Sequence, residues 1–453
     1  MTTELTRPPT NIKVCDAIMG SGKTSAAIRY MNEHSDRRFM YVAPQLTENR
    51  RIAAACPELE FVLPTDQGPD KTKTENLLRL LREGRNVAIS HELYTLCDDR
   101  ACQYMQEHGY AMIVDEVVDV FKKISLSQRD VEHLIGRCVL VQDDGGYVSI
   151  PPECDSMFDN PLLQQFKYLS RSHKLLLLPN GECCYWMVSD RMLAAAQEVI
   201  IMTYKFGFSD MARLLEISGM DYTYLFVNTD GDGHFWFTDK EVYMPAYAEH
   251  ITQMIKVVDD PLMNAIGDKA NALSVGWWKR GIKEYHKKRS YDSDGSAHET
   301  ADSRATDAYQ MRKLLRKYLR TDHPDVAPDD KLYGSINDVK PIVEQRGYLH
   351  SFLAFNATSR NDFGDRHLLA YLINIYRRPE VLRYYRQHGF DTQQEGYALT
   401  VMLQWIWRSA IRNGEQVELY LPSRRMRRIL MQWMLECEED YKRLYKISKE
   451  DNE

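Results

Sequence analysis

The stretch Ala17-Ile18-Met19-Gly20-Ser21-Gly22-Lys23-Thr24-Ser25 follows an apolar run, Ile12–Ala17, and precedes helix-forming sequence, Ala26–Met31. Strand, glycine turn, Gly-Lys-Thr and helix, in this order, predict a phosphate-binding loop. Small residues let backbone N–H groups approach a phosphate, and the N-terminus of the helix adds a favourable partial charge. The alternative is a glycine turn that only caps a helix.

In such a loop the lysine and the hydroxyl residue have separate tasks. We expect Lys23 to reach the β- and γ-phosphates of ATP and the Thr24 hydroxyl to ligate Mg²⁺. The residues expected to contact the nucleotide are Gly20, Ser21, Gly22, Lys23, Thr24 and Ser25.

The chain as a whole has the composition of an ordinary globular protein. Its 453 residues predict two or three domains, and its net charge of -7 argues against a uniformly basic nucleic-acid binder. Nine cysteines without Cys-x₂-Cys pairing indicate reduced thiols and no structural zinc. The polar N-terminus lacks a signal-peptide pattern, and Leu175–Leu178 is too short to span a bilayer, so we expect a cytoplasmic protein without a membrane partner.

Short apolar strands alternate with helical stretches in the first half, which predicts a parallel, doubly wound α/β sheet. The candidate strands are Ile12–Ala17, Phe39–Ala43, Val87–Ser90, Ala111–Val114 and Val199–Thr203. We expect a first domain at 1–242, with an accessory insertion at 117–197. Within the insertion, Val139–Gln142 and Tyr147–Ile150 flank a Gly-containing turn and predict a β-hairpin.

A second α/β domain is expected at 243–453. Leu349–Phe355 and Val417–Leu421 are its candidate strands, and His367–Tyr376 and Ala398–Arg412 are predicted to be helical. Arg289–Thr306 lacks apolar periodicity and predicts a mobile loop.

Asp115 and Glu116 end the apolar strand Ala111–Val114. In a phosphate-binding ATPase, Asp115 would hold Mg²⁺. Glu116 would orient the attacking water and accept its proton. The alternative is a surface turn after a strand. Thr203, at the end of another strand, is expected to couple the ATP site to the domain interface.

Polar residues after other strands are candidates for holding a phosphodiester backbone. Gln45, Thr47, Asn49 and Arg50 follow Phe39–Ala43, and each could equally belong to a capped helix. Ser90 and the following His91 have the same two interpretations, and Thr358 lies in the polar stretch Phe355–Asp362.

Basic and aromatic residues also interleave at Trp277–Arg280 and Tyr285–Arg289. Such mixtures can stack bases and hold phosphates. Buried tryptophans beside a solvated charged face explain them equally well.

If Ala398–Arg412 is one helix, Gln404, Arg408 and Arg412 lie on one face. Such a stripe predicts arginine fingers, which stabilise charge on a transferred phosphoryl group. The alternative is a surface face with salt bridges.

Taken in order, these segments resemble the motifs of superfamily 2 helicases, in which an alanine at the first position of the phosphate loop is common. They are Ala17–Thr24, Pro44–Thr47, Asp115-Glu116, Thr203, Asn356–Asn361 and Gln404–Arg408. More narrowly, the run Ala398–Met426 resembles DEAD/DEAH-type helicase-like proteins of bacteriophages and prophages. The likeness implies two RecA-like domains in tandem, ATP bound between them, and movement on DNA or RNA. It places Arg412 one residue later than the usual second arginine.

The expected function is therefore an ATP-dependent nucleic-acid motor in phage DNA replication, recombination or a related DNA transaction. DNA is favoured over RNA, phage or host replication proteins are possible partners, and a phage protein would work in the host bacterial cytoplasm. The alternative is a nucleotide-switched factor that remodels nucleic acid or protein without unwinding. A small-molecule kinase is disfavoured, because kinases rarely need a second domain with a Gln/Arg helix.

Overall fold

A computed structural model of the chain supplies the architecture. The residues that it describes are 11–67, 70, 72–117, 121–123, 137, 140–142, 146–158, 164–172, 174–178, 183–186, 190–293, 295–343, 349–357, 363–391 and 393–450.

The strands, in chain order, are β1 (Asn11–Asp16), β2 (Phe39–Ala43), β3 (Val87–Ser90), β4 (Ala111–Asp115), β5 (Phe121–Lys123), β6 (Val141–Gln142), β7 (Val148–Ser149), β8 (Leu175–Leu177), β9 (Cys183–Trp186), β10 (Glu198–Thr203), β11 (Thr223–Thr229), β12 (Phe235–Thr238), β13 (Ile255–Val257), β14 (Ser290–Tyr291), β15 (Ala297–His298), β16 (Lys331–Gly334), β17 (Leu368–Tyr371) and β18 (Val417–Tyr420).

The α-helices are α1 (Lys23–Glu33), α2 (Leu46–Ala55), α3 (Lys73–Arg82), α4 (His91–Thr95), α5 (Asp99–His108), α6 (Gln164–Arg171), α7 (Asp190–Ala195), α8 (Asp210–Ile217), α9 (Ile251–Met254), α10 (Pro261–Asn264), α11 (Val275–Lys287), α12 (Ala301–Arg304), α13 (Asp307–Arg316), α14 (Lys340–Val343), α15 (Pro379–Gln387), α16 (Gln394–Ile406) and α17 (Arg424–Glu450).

The chain divides into two compact units. Unit 1 consists of Met1–Tyr243 and Arg378–Thr392, and unit 2 of Met244–Arg377 and Gln393–Glu453. The seven-stranded sheet of unit 1 has the order β12-β11-β1-β10-β4-β2-β3. Its strand pairs are parallel except for the edge pair β11–β12. The predicted parallel α/β sheet is confirmed, and the carboxyl ends of β1, β10, β4, β2 and β3 meet at one edge.

Alternation along the central strands explains why this sheet is covered on both faces. In β2, Met40 and Val42 enter one buried apolar cluster, whereas Phe39 and Tyr41 enter another. Successive side chains of a strand point to opposite faces, so the two clusters are the cores on the two sides of the sheet. Every residue of β2 is buried, as parallel strands between helical layers require.

Helix α15 packs in unit 1 although it follows most of unit 2 in the sequence. Val381, Tyr384 and Tyr385 belong to one of the two cores of unit 1. The Tyr385 hydroxyl donates a buried hydrogen bond of 2.7 Å to Asp210 Oδ1. The expected second domain, 243–453, includes this segment, because packing between distant parts of the chain leaves no local sequence signal.

An accessory segment lies between β4 and β10. Its described part contains an antiparallel sheet of β5, β9 and β8 and a hairpin of β6 and β7. The predicted hairpin is confirmed, with Val141 opposite Ser149 and Gln142 opposite Val148. Residues 143–145 of its turn lie outside the described residues.

Unit 2 contains a four-stranded parallel sheet with the order β13-β18-β17-β16. The predicted helix His367–Tyr376 is wrong, because this segment contains the central strand β17. All residues of β17 are buried, and it pairs with a strand on each side. An apolar run buried on both faces of a sheet lacks alternation and can be mistaken for a buried helix.

Two other predictions in unit 2 are also corrected. Leu349–Phe355 is not a full strand, since it starts as the 3₁₀ turn Leu349–Ser351 and pairs with β16 through a bridge between Phe352 and Tyr333. Arg289–Thr306 is not an irregular loop, since it forms the β14–β15 hairpin and the helix α12. Thr300 and the buried Ser303 form a reciprocal capping box that fixes the start of α12.

No helix among the described residues is long and apolar enough to cross a membrane.

Candidate nucleotide-binding site

The predicted phosphate loop joins β1 to α1 with two residues in the left-handed region. Gly20 has a φ of 76° and Gly22 a φ of 84°. L-residues with a side chain rarely adopt this conformation, which explains glycine at both positions. At Gly22 a Cβ would also lie 2.2 Å from Cδ1 of Phe235, a residue of β12. Two independent constraints therefore require glycine there.

Lys23 lies at the first position of α1 and folds back over the loop. Its Nζ donates hydrogen bonds to Ala17 O at 2.5 Å and to Ile18 O at 3.0 Å. Burial lowers the pKa of Lys23, and the nearby charges of Asp115 and Asp16, which act in the opposite direction, only partly offset this effect. A positive group inside the loop, close to two carboxylates, suits a phosphate–Mg²⁺ ligand.

The loop also contains a polar group that the rest of the described structure leaves unsatisfied. Ser21 Oγ is buried and has no hydrogen-bond partner among the described residues. Buried hydroxyl groups are rarely left unpaired unless a ligand or water completes them. Thr24 and Ser25 follow in the first turn of α1, where N–H groups lack partners within the helix. These features fit a bound phosphate.

Asp115 ends β4 at the same sheet edge and is held from two sides. The Tyr41 hydroxyl donates to Asp115 Oδ2 at 2.7 Å. His91 Nε2 lies 2.9 Å from the Asp115 backbone oxygen, and since a carbonyl only accepts, this nitrogen carries the proton. Burial raises the pKa of Asp115 to about 6, and burial also lowers the pKa of His91 to about 4. The imidazole is therefore neutral at neutral pH.

Glu116 adopts a strained conformation at the end of this strand. Its φ is 60°, a left-handed value uncommon for a residue with a side chain. Its N–H donates to Met202 O of β10 at 3.0 Å, and its side chain is exposed. This bond turns the chain sharply after Asp115, so that the carboxylate of Glu116 reaches solvent while that of Asp115 stays buried.

Asp16 joins the phosphate loop to the end of β10. Its two carboxylate oxygens accept the backbone N–H groups of Lys205 at 2.6 Å and Phe206 at 2.9 Å. The N–H of Ala17 donates to Thr203 O at 3.0 Å. Thr203 is thus part of the frame of the loop. Asp16 is not among the predicted site residues, although an acid directly between an apolar strand and a glycine loop is a usable signal.

Aromatic residues of β12 cover α1 along its length, and the sequence analysis missed them. Phe235 lies against Gly22, as described above. The Arg29 guanidinium lies 5.5 Å from the ring centre of Trp236, and the ring centres of Phe237 and Tyr30 are 6.0 Å apart. Three consecutive aromatic residues at 235–237 were the available signal.

The candidates for nucleic-acid contact in unit 1 lie at the sheet edge, with mixed exposure. Thr47 Oγ1 donates to Gln45 Oε1 at 3.1 Å, and Arg50 is exposed. Asn49 is buried, and neither polar atom of its side chain has a hydrogen-bond partner among the described residues. Ser90 Oγ accepts the N–H of Leu93 at 3.2 Å and so caps α4. Thr358 lies outside the described residues.

The predicted stripe of Gln404, Arg408 and Arg412 on one helix is wrong. Helix α16 ends at Ile406, so Gln404 is in its last turn, Arg408 follows it, and Arg412 is exposed in a 3₁₀ turn, Ala410–Asn413. The helix ends because the N–H of Ser409 bonds to the carbonyl of Ile406 only three residues back. The buried Ser409 side chain donates to the same oxygen at 2.7 Å.

Comparisons with known proteins find one curated relative and several solved structures. The chain is 28% identical over 430 residues to the SPbeta prophage-derived uncharacterized protein YonV of Bacillus subtilis (strain 168), covering 93% of this chain and 98% of that protein. Residues 249–434 match the family model described as the YonV C-terminal Rossmann-like domain.

The solved structures are remote likenesses. S. tokodaii Xpd4 has a TM-score of 0.47 at 11% identity, covering 94% of both chains. An XPD helicase structure has a TM-score of 0.43 at 11% identity, covering 94% of this chain and 95% of the other. At this level of similarity, the solved structures do not assign a role to any residue of this chain.

Proposed function

We propose that this protein is an ATP-dependent nucleic-acid motor of the superfamily 2 helicase type. The observation that supports it best is the meeting of Lys23, Asp115 and Glu116 at one sheet edge. β1 and β4 lie on either side of β10, and the charges of both carboxylates act on the Lys23 ammonium. A phosphate loop with a lysine, a buried Asp and an exposed Glu is the minimal set for hydrolysis of a nucleoside triphosphate.

Each residue of this set has a distinct task in the proposed reaction. The N–H groups of Gly20–Ser25 and the Lys23 ammonium hold the phosphates. The Thr24 hydroxyl and the Asp115 carboxylate would hold Mg²⁺, which would neutralise the charge that develops on the phosphates of ATP. Glu116, exposed beside Asp115, orients a water molecule and accepts its proton. Tyr41 and His91 keep Asp115 in place.

We propose that unit 2 completes the motor as a second RecA-like domain. Its support is the separate parallel sheet β13-β18-β17-β16. Gln404 and Arg408 keep the roles that the helicase resemblance gives them, and their variants should lose hydrolysis while keeping nucleotide binding. Arg412 is the weaker candidate, because it lies beyond Arg408 in a separate 3₁₀ turn, Ala410–Asn413, and one residue later than the usual second arginine.

The relative from a prophage supports a phage setting. Within that setting we propose a role in DNA replication, recombination or a related DNA transaction. We propose DNA as the nucleic acid, and phage or host replication proteins as the partners. The test for the nucleic acid is which strand, DNA or RNA, stimulates ATP hydrolysis more in the purified protein.

The deciding experiment compares ATP hydrolysis with and without nucleic acid in wild type, Lys23→Ala and Glu116→Gln. We expect both variants to lose stimulated hydrolysis by at least about a hundredfold. Lys23→Ala should also lose ATP affinity, whereas Glu116→Gln should keep it. The matched control is Glu33→Gln, an exposed residue of α1 paired with Arg29, and it should stay fully active. Full activity of either site variant contradicts the proposal.

A second function is favoured by the accessory segment between β4 and β10. Its described sheets are additional to the seven-stranded sheet and follow Glu116 in the sequence. Such a segment suits a factor that clamps or remodels nucleic acid without unwinding. A strand-displacement assay beside the hydrolysis assay separates the two functions. Hydrolysis without displacement, on substrates with either polarity of single-stranded tail, would favour the remodelling factor.

A further inference from the structure

Helix α11 of unit 2, Val275–Lys287, is firmly anchored by one face. Trp278 and Tyr285 are 0% and 4% exposed. The Trp278 indole N–H donates a buried hydrogen bond of 2.8 Å to Leu372 O, just after β17. These two residues are seven apart and therefore lie on the same side of the helix. Because these contacts fix the rotation of the helix about its axis, the opposite side faces away from the core of unit 2.

That opposite side is basic throughout. Lys279, Arg280, Lys283 and Lys287 are all exposed, and at 3.6 residues per turn they fall within an arc of about 100° opposite Trp278. We refer to these four residues as the basic face. Gly276 shares the arc, and a Cβ there would lie 3.3 Å from an Arg280 guanidinium nitrogen, so the arginine extends along the helix.

The basic face is not neutralised by the described part of the chain. The acid of α11, Glu284, lies outside the arc and pairs with Lys288 at 2.6 Å. No ion pair is found between the four basic residues and any described acidic residue. This concentration of charge is unusual in a chain with 65 acidic and 58 basic residues. Solvated surfaces of such a chain more often mix both signs.

The spacing suits a strand of phosphates. Lys279, Lys283 and Lys287 follow one another at four-residue steps, about 6 Å each at a rise of 1.5 Å per residue. The row is thus about 12 Å long, which corresponds to about three or four nucleotides at 3.4 Å per nucleotide of a duplex strand. Flexible ammonium groups in such a row can each meet one phosphate without reading a base.

We propose that the basic face of α11 binds the phosphodiester backbone of a nucleic-acid strand, independently of base sequence. The inference rests on the proposed function, since a motor needs a grip on its strand, and it places one grip in unit 2. The neighbouring aromatic residues do not add base stacking to this face. Trp278 is in the core, and Trp277 packs edge-on against it at 4.8 Å, about 100° round the helix from Trp278.

The test measures binding of fluorescein-labelled single-stranded DNA and RNA by anisotropy across a salt series. The variant is Lys279→Ala/Lys283→Ala/Lys287→Ala in the full chain. Each lost phosphate contact removes about 0.7 from the slope of log K against log salt concentration, so the slope should become shallower by about 2. Lys279→Arg/Lys283→Arg/Lys287→Arg should restore the wild-type slope, because the charges return.

The matched control is Lys313→Ala/Lys442→Ala/Lys446→Ala, which removes three exposed lysines elsewhere in unit 2. It should keep the affinity and slope of the wild type. An unchanged slope in the α11 variant, or an equal loss in the control variant, overturns the inference. The inference is also overturned if wild type binds labelled polyglutamate as tightly as it binds nucleic acid and the α11 variant loses this binding. The partner of the basic face would then be an acidic protein. If wild type binds neither DNA nor RNA, both the inference and the proposed function fail. If wild type binds and the α11 variant keeps the wild-type slope, only the inference fails.

Discussion

A single hydroxyl sets the position of the acid that is proposed to hold Mg²⁺. Tyr41 is fully buried in β2, and its hydroxyl donates to Asp115 Oδ2 from the strand next to β4. The bond holds the Asp115 carboxylate through Oδ2. In an otherwise apolar strand, Phe-Met-Tyr-Val-Ala, the sequence offers no reason to separate this tyrosine from a core aromatic.

Replacing Tyr41 with Phe should raise the Mg²⁺ concentration needed for half-maximal ATP hydrolysis. Removing the hydrogen bond weakens the fixed position of Asp115 by about 1 kcal/mol, so the expected change is about fivefold. The measurement is a Mg²⁺ titration of hydrolysis at saturating ATP, with a thermal melt beside it. Tyr110→Phe is the control, since its hydroxyl bonds to Arg85 O at the other end of β4. An unchanged Mg²⁺ midpoint in Tyr41→Phe would contradict this role.

At the scale of elements, edge strand β12 and helix α1 form the wall of the phosphate loop. β12 pairs only with β11 in the described sheet, and its aromatic residues cover α1 from Gly22 to Tyr30. Any side chain added at Gly22 must displace Phe235 and also adopt a left-handed backbone.

We expect Gly22→Ala to reduce nucleotide affinity by more than tenfold, because strain at a left-handed residue costs about 1–2 kcal/mol before the clash is counted. Titration with a fluorescent ATP analogue measures this. Gly219→Ala is the control for backbone strain without a clash. Gly219 has a φ of 64°, but a Cβ there would have nothing within 4 Å. That control should lose stability without losing nucleotide affinity. Wild-type affinity in Gly22→Ala would show that the loop does not hold phosphate in this conformation.

Glu198, the first residue of β10, joins three elements of unit 1. Its carboxylate accepts hydrogen bonds from Lys13 of β1 at 2.7 Å, Tyr30 of α1 at 2.6 Å and Arg37 at 2.6 Å. Burial alone would raise its pKa, but these bonds outweigh burial and lower the pKa to about 2 from its usual 4.5. The folded state therefore favours the charged carboxylate.

Glu198→Gln should destabilise unit 1 by about 2 kcal/mol at neutral pH. Because the pKa is lower in the folded state, the stabilisation is complete above about pH 4.5 and is lost as the pH falls towards about 2. The difference between wild type and variant in denaturant unfolding should therefore shrink across this window. Glu33→Gln, with its exposed partner Arg29, should change stability by less than about 0.5 kcal/mol at any pH. A difference that grows on acidification would refute the assignment.

At the scale of the whole molecule, unit 1 is assembled from two distant pieces of chain. Helix α15 brings Val381, Tyr384 and Tyr385 into its core, and the Arg213 guanidinium lies 5.4 Å from the ring centre of Phe390. Tyr385 is the polar anchor of this piece through its bond to Asp210.

Tyr385→Phe should therefore lower the stability of unit 1, by about 1–2 kcal/mol, although the residue lies between segments of unit 2. Hydrogen exchange resolved by segment is the measurement, and residues 379–387 should lose protection together with β10 and α8. Tyr445→Phe, at an exposed position of α17, should leave exchange in unit 1 unchanged. If 379–387 instead exchanged with the unit 2 sheet, its assignment to unit 1 would be wrong.

The sequence predicted those parts of the fold whose signals are local. All five strands expected in the first half exist, because each is an apolar run bounded by polar residues. β17 was mistaken for a helix because Leu368–Tyr371 is buried on both faces. The end of α16 was missed because Ser409, which bonds back to the Ile406 oxygen three residues earlier, is neither a glycine nor a proline and gives no usual stop signal.

The candidate site divides in the same way. The residues proposed to act on ATP, Lys23, Thr24, Asp115 and Glu116, carry their chemistry in the sequence, and their roles stay predictions. The residues that hold them in place have no such local signal. Asp16 bonds to Lys205, 189 positions away, and Tyr41 bonds to Asp115, 74 positions away. Phe235 lies against Gly22, 213 positions away. Sequence patterns reach a few residues, whereas these contacts join strands that meet only in the folded sheet.

The return of the chain to unit 1 also sets a schedule for synthesis. A ribosome releases the first 243 residues long before it makes Phe390, and at about 5–20 residues per second the delay is on the order of ten to thirty seconds. During this time the surface that α15 will cover stays exposed, while three of the four strands of the unit 2 sheet, β13, β16 and β17, are translated. Unit 1 therefore completes its core only after α15 has been made, and we expect the unfinished unit 1 to need a chaperone most during this interval.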